Sequence, residues 1–168
     1  MQNADSGRYL RKDLTLFNRW NRFSNMDSKD EVIRLYNEGY DCAQCILKAM
    51  EDKIDCDMET AMRTISCMGM GLLEGSLCGA LLGALAVIGV KYGSSSPDMS
   101  SRGVAMIKRA QLLMEFKKRY NGLTCPEIMG LDVRKDEDNL RAYKEGIYEH
   151  FCPNMAADII DILNMIIE

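Results

Sequence analysis

The 168-residue chain is poor in the groups that most enzymes use for acid–base work. It has one histidine, His150, and no Ser/His/Asp arrangement, no HExxH and no P-loop. A hydrolase or a nucleotide-driven enzyme therefore has no visible machinery, and no transferase motif stands in its place. Positive charge is not in excess either. The formal net charge is -4 and the pI about 5.2, which argues against a nucleic-acid binder. The basic cluster Lys117, Lys118, Arg119 reads as the solvated end of a helix, where cations suit the macrodipole. Arginines between Arg8 and Arg22 are the only other support for nucleic acid. Long apolar runs are also missing. The longest, Leu77 to Val90, is rich in Gly and Ala and falls short of the roughly 20 apolar residues a bilayer span requires. The start of the chain is polar, without the apolar core of a secretory signal, so a cytoplasmic location is the expectation. No period-two alternation, repeat or low-complexity tract is visible.

Helical periodicity fills the space left by these absences. Residues 1–26 read as an N-terminal arm, mobile or docked on the domain or on a second subunit with Trp20 as anchor; Leu10, Leu14 and Phe17 would share one face of a short helix. Residues 27–168 read as a single helical domain, long enough to bury a core. Ser28 and Glu31 form a capping-box pattern, and Val32, Tyr36, Gly39, Ala43, Ile46 and Met50 follow at helical spacing, with Gly39 as a kink or a break. Further helices are expected over Met58–Cys67, from Cys78 to Tyr92, over 99–120, at Pro126, over Asn139–Tyr148 and from Pro153. In the 99–120 helix the expected apolar face is Met106, Ile107, Ala110, Leu113 and Met114; in the last helix it is Met155, Ile159, Leu163 and Ile166. The fold class is all-α, a compact bundle of about five or six helices. The apolar faces of the two long helices offer a surface for a homodimer, although no heptad pattern fixes one.

Seven cysteines are the richest chemistry present. In a reducing compartment such residues serve more often as metal ligands, catalytic thiols or core than as structural disulfides, and an odd number cannot all pair. Cys125 and Cys152 each precede a proline that opens a helix. A helix N-terminus favours an anion, so both thiols are expected to be acidified. Cys78 opens Cys78-Gly79-Ala80-Leu81-Leu82-Gly83, where Gly75, Gly79 and Gly83 lie at i, i+4 spacing and make a smooth face that another backbone or a cofactor can approach. Cys42 and Cys45 form a CxxC; Cys42 aligns with the buried side and Cys45 with the polar stripe Asp41, Lys48, Asp52, which puts Cys42 at the site and Cys45 at its rim or on the surface. Cys56 lies in an acidic loop, Cys67 reads as core, and His150 reads as an exposed helix end. The 13 methionines read as adaptable core packing rather than a soft-metal site.

The ordered set Cys42 within GYDCAQ, Cys78 within CGALLG, Cys125 and Cys152, with VKYG closing the central helix, resembles the C_GCAxxG_C_C family of redox-active proteins over residues 28–167. The resemblance implies a small cytoplasmic protein with a Cys-ligated iron–sulfur cluster, as in a related domain of some cytochromes. It differs from the usual pattern in a diluted glycine run, Gly69 to Gly75, and in the additional Cys45, Cys56 and Cys67.

Three readings follow. In the first, Cys42, Cys78, Cys125 and Cys152 bind an iron–sulfur cluster for electron transfer or redox sensing, with Gly79 and Gly83 close to it; wide gaps between the ligands mean the tertiary fold must assemble them. In the second, the same thiols work without metal, pairing Cys125 with Cys152 or Cys42 with Cys78 in an oxidoreductase. In the third, they hold structural zinc, or the chain is a ligand-free helical module. An electron-transfer partner is implied by the first reading; no nucleic acid and no membrane span are expected.

Overall fold

The computed structural model describes residues 28–167. The N-terminal arm with Trp20 and the Arg8–Arg22 stretch lie outside the described residues. Eight α-helices are present among the described residues, rather than five or six, and no strand is: α1 Ser28–Asn37, α2 Cys42–Ala49, α3 Met58–Ile65, α4 Gly79–Tyr92, α5 Gly103–Arg119, α6 Cys125–Met129, α7 Asp136–Lys144 and α8 Cys152–Ile166. The expected long first helix is two helices. Gly39 takes φ +93, a left-handed conformation that a residue with a Cβ enters at a cost, and the chain turns there. Asp41 then restarts it, accepting from the Ala43 and Gln44 N–H groups while the Gln44 side chain accepts from the Asp41 N–H.

The core is built on α8, which buries Met155, Ile159, Leu163 and Ile166 as its spacing predicts. Around it stand Val32 and Leu35 of α1, Ile46 and Leu47 of α2, Leu81, Ala84 and Val87 of α4, and Leu112 and Phe116 of α5. Burying each large side chain is worth about 1.5–3 kcal/mol, so this cluster drives the fold. Helices α2 and α4 pack with almost no gap: a Cβ at Gly83 would lie 2.5 Å from the Ala43 carbonyl oxygen. Helix α4 is buried over most of its surface, and no helix among the described residues is long and apolar enough to cross a membrane.

Helix α5 departs from expectation. Met106, Ile107 and Met114, predicted to face inward, are 46%, 60% and 55% exposed. Ala110 is also exposed and Leu113 is half-buried. The helix carries two apolar faces. The core takes the one that holds Leu112 and Phe116, whose ring stacks on Tyr120 at 4.7 Å, and the other is left on the surface.

One short piece of extended pairing positions the rest. Leu77 and Thr124 form an isolated antiparallel bridge, with Cys78 N–H donating to the Leu123 carbonyl at 2.8 Å and Cys125 N–H to the Ser76 carbonyl at 3.1 Å. This clamp holds the starts of α4 and α6 side by side.

Candidate functional site

Four helix starts meet at one cavity. Cys42 is the first residue of α2, Cys78 the N-cap of α4, Cys125 the first residue of α6 and Cys152 the first of α8, and all four line it. The remaining wall is Met70, Ile128, Met129, Val133, Tyr148 and Met155. The cavity encloses about 20 Å³, room for one water-sized guest. Cys78, Cys125 and Cys152 are buried and Cys42 is half-buried; all are free thiols. Among the described residues, no three His, Cys, Asp or Glu side chains are arranged as a metal site as they stand.

The sulfurs are not equivalent. The Cys78 and Cys125 thiols interact: that interaction, with burial, raises Cys78 well above the ordinary range, and it lowers Cys125. Backbone N–H groups of the first turn of α4 help: Gly79 points at Cys125, and Ala80 and Leu81 at Cys78. Cys42 is raised by burial, against the Tyr36 hydroxyl and the Met70 N–H, which favour its thiolate. Cys152 is raised by burial, then by the nearby Cys42 and Cys78, and its thiol reaches only the Met129 sulfur at 4.0 Å.

Acidification of both Cys-Pro thiols was the expectation, and it holds for one. Cys152 does not sit at a free helix end. Residues Ile147–Phe151 form a π-helical turn that runs into α8, and Phe151 is itself helical at φ -69, ψ -50, so no empty N–H end faces the sulfur. Cys78 and Cys125 influence one another most strongly, while the expected partners Cys42 with Cys78 and Cys125 with Cys152 act on each other only as nearby charges.

Other expected site residues are placed differently. Gly79 and Gly83 do not line the cavity. Gly79 stands beside it, its N–H directed at Cys125 and a Cβ there 2.6 Å from the Met68 carbonyl oxygen and 3.1 Å from the Cys42 Cβ, while Gly83 faces α2 and serves close helix packing. Cys45 is wholly buried, its thiol 3.6 Å from the Tyr40 carbonyl oxygen, although Lys48 and Asp52 of its supposed polar stripe stay at the surface. Cys67 is exposed, not core, since α3 ends at Ile65. Cys56 is half-buried beside Met58. His150 is exposed and away from the cavity wall.

Two features of the site carry no sequence signal of their own. The Tyr36 hydroxyl is enclosed without a nitrogen or oxygen partner, and the group it faces is the Cys42 sulfur. The second is a left-handed turn. Met70, Gly71, Leu72 and Leu73 have φ of 51, 64, 59 and 57 in succession. Each residue with a Cβ costs about 1–2 kcal/mol there. A Cβ at Gly71 would also lie 2.9 Å from the Cys125 sulfur. Diluting the glycine run therefore leaves the one glycine that the sulfur requires.

A family model described as "Putative redox-active protein (C_GCAxxG_C_C)" matches residues 40–166, and the chain belongs to that family. No curated protein and no solved structure matches the chain.

Proposed function

We propose that Cys42, Cys78, Cys125 and Cys152 form the redox centre of this family member by holding an iron–sulfur cluster. The observation that carries this reading is the convergence of four thiols, from four separate helix starts, on one otherwise apolar cavity. Thiol–disulfide chemistry needs two thiols; a cluster takes four. The donor set suits the group, and so does its setting: backbone N–H groups of Met70, Gly79, Ala80 and Leu81 point at three of the sulfurs, which stabilises thiolates and tunes a potential. The cluster, when bound, supplies reversible one-electron transfer. The protein's own residues hold it and exclude water, with Met129, Met155 and Tyr148 as the apolar lining. Purification without oxygen, followed by the visible spectrum and iron and acid-labile sulfide analysis, tests the reading. Brown protein with iron and sulfide is expected. Protein that stays colourless and iron-free after anaerobic reconstitution with iron and sulfide overturns it.

A second reading is favoured by Cys78 and Cys125, which the Leu77–Thr124 bridge holds on one cavity and whose interaction acidifies Cys125. These two thiols would lose two electrons and two protons to a disulfide such as oxidised glutathione, giving one intramolecular disulfide and two glutathione thiols. Mass spectrometry of the metal-free protein across glutathione redox buffers should find that bond first. Oxidation of any other pair ahead of it rejects this reading.

A further inference from the structure

One polar group beside the thiols has no use in the fold. The Tyr36 hydroxyl oxygen is enclosed and pairs with no nitrogen or oxygen, while the residue as a whole is half-buried against the core. A buried hydroxyl without a partner destabilises the chain that carries it, so its presence calls for an explanation. The turn between α1 and α2 aims this residue at the site. Tyr36 lies in the last turn of α1; the Gly39 N–H donates to its carbonyl oxygen at 3.0 Å and the Tyr40 N–H to that of Leu35 at 3.2 Å. Asp41 then caps α2, and Cys42 opens it. After burial itself, the groups that act on the phenol are Cys42 first, then Cys152 and Cys45. Tyr148 also stands beside the thiols, but its hydroxyl donates to Asn139 Oδ1 at 2.6 Å and is already used. The family match begins at residue 40 and assigns nothing to Tyr36.

We propose that Tyr36 is a positioning residue of the redox centre, its hydroxyl donating to the Cys42 sulfur once that sulfur is a thiolate ligand. The inference rests on the cluster reading of the four thiols. A thiol sulfur is a weak acceptor and a charged sulfur a much stronger one. The hydroxyl is therefore unpaired in the metal-free chain and gains its partner when Cys42 ligates. The other donors at the site are backbone groups: Met70 N–H at Cys42, Gly79 N–H at Cys125, and those of Ala80 and Leu81 at Cys78. Tyr36 adds a side-chain donor to this set, and one that substitution can remove without disturbing the main chain. Reduction adds negative charge that is shared by the ligating sulfurs, so a donor at one of them favours the reduced state.

Tyr36→Phe in the full chain, which keeps the ring and removes only the hydroxyl, tests this in two states. In the metal-free protein, urea unfolding should show the variant as stable as the wild type or more so, by up to about fivefold in the unfolding equilibrium constant, because no bond is lost. A variant less stable by fivefold or more overturns the proposal, since the hydroxyl then has a structural partner. After anaerobic reconstitution with iron and sulfide, the variant should load as the wild type does, with all four thiols still present. Its midpoint potential, read by redox titration of the visible spectrum, should fall by about tenfold in the equilibrium constant, or about 59 mV for one electron. A midpoint unchanged within about twofold overturns the proposal and leaves the cluster reading standing. A folded variant that fails to load also overturns it, because Tyr36 then does more than donate one hydrogen bond. A wild-type chain that takes no iron or sulfide removes the cluster reading, and this inference with it.

Discussion

Cys125-Pro126 and Cys152-Pro153 are the same dipeptide at the first turn of two helices, yet their thiols are driven in opposite directions. Cys125 is acidified and Cys152 is held protonated by burial. Proline at the start of a helix does not by itself leave N–H groups open. Helix α6 starts from an extended Thr124, whose side chain and that of Glu127 cap each other, whereas α8 continues a π-helical turn. Even at Cys125 the acidifying groups come from elsewhere: first the Cys78 thiol, then the Gly79 N–H of α4. The thiol is tuned by the neighbouring helix that the Leu77–Thr124 bridge holds beside it.

That contrast can be broken by substitution. In the metal-free protein, Cys125→Ala should remove the fast-reacting buried thiol and slow iodoacetamide labelling of the cavity cysteines near pH 7 by about tenfold or more, because the reaction follows thiolate fraction. Cys152→Ala should leave that rate unchanged within about twofold. Peptide mapping identifies the labelled residue; labelling of Cys152 ahead of Cys125 would invert the comparison.

Cys78→Ala sharpens it. A hydrogen bond to a charged group is worth about 1.5–3 kcal/mol, or about one to two pH units in the midpoint of the Cys125 labelling profile. The midpoint should move up by that order while Cys125 stays in place. A midpoint that does not move would assign the acidification to α4 backbone alone.

A smaller effect lies in the caps. Thr124 accepts from the Glu127 N–H, and Glu127 accepts from the N–H groups of Leu123 and Thr124. Thr124→Ala should cost about 1 kcal/mol in urea unfolding. No such cap exists at Phe151, so the two Cys-Pro helices should respond differently to substitution at the residue before the cysteine.

The smallest effect is in pH. Burial raises Cys42 and Cys152 in the folded state, so the folded chain keeps protons that the unfolded chain releases above its ordinary thiol pKa of about 8.5. Their contribution to stability is complete below that pH and is lost as pH rises beyond it. The melting temperature of metal-free protein should be flat in this respect up to about pH 8 and fall above about pH 8.5, less steeply in Cys152→Ala. An equal slope in that variant would remove Cys152 as a cause.

The order of cysteines and the helical class were legible because both depend on local pattern: residue type beside a proline or glycine, and apolar spacing along a helix. What was not legible depends on which neighbour covers which face. Cys45 sat on a polar stripe by spacing, but the fold buries it with its thiol against the Tyr40 carbonyl oxygen of the turn between α1 and α2. Met106, Ile107 and Met114 had core spacing, but a helix with two apolar faces gives no local sign of which one the core will choose. Gly79 and Gly83 marked a close approach, and only the fold reveals what approaches: the Met68 backbone and Cys42 at the first, Ala43 and Ile46 of α2 at the second. Tyr36 read as one more apolar repeat, while its hydroxyl faces Cys42. The left-handed run from Met70 to Leu73 opposes the ordinary preference of three of its four residues and has no signature beyond the surrounding glycines.

The central claim is that four particular thiols act as one centre. Its most direct test is the iron and acid-labile sulfide content of seven single-alanine variants purified without oxygen. Replacement of Cys42, Cys78, Cys125 or Cys152 should each abolish stable cluster binding, while replacement of Cys45, Cys56 or Cys67 should leave it at the wild-type level. Full cluster content in any of the first four, or its loss in an exposed Cys67→Ala variant that remains folded, would contradict the account.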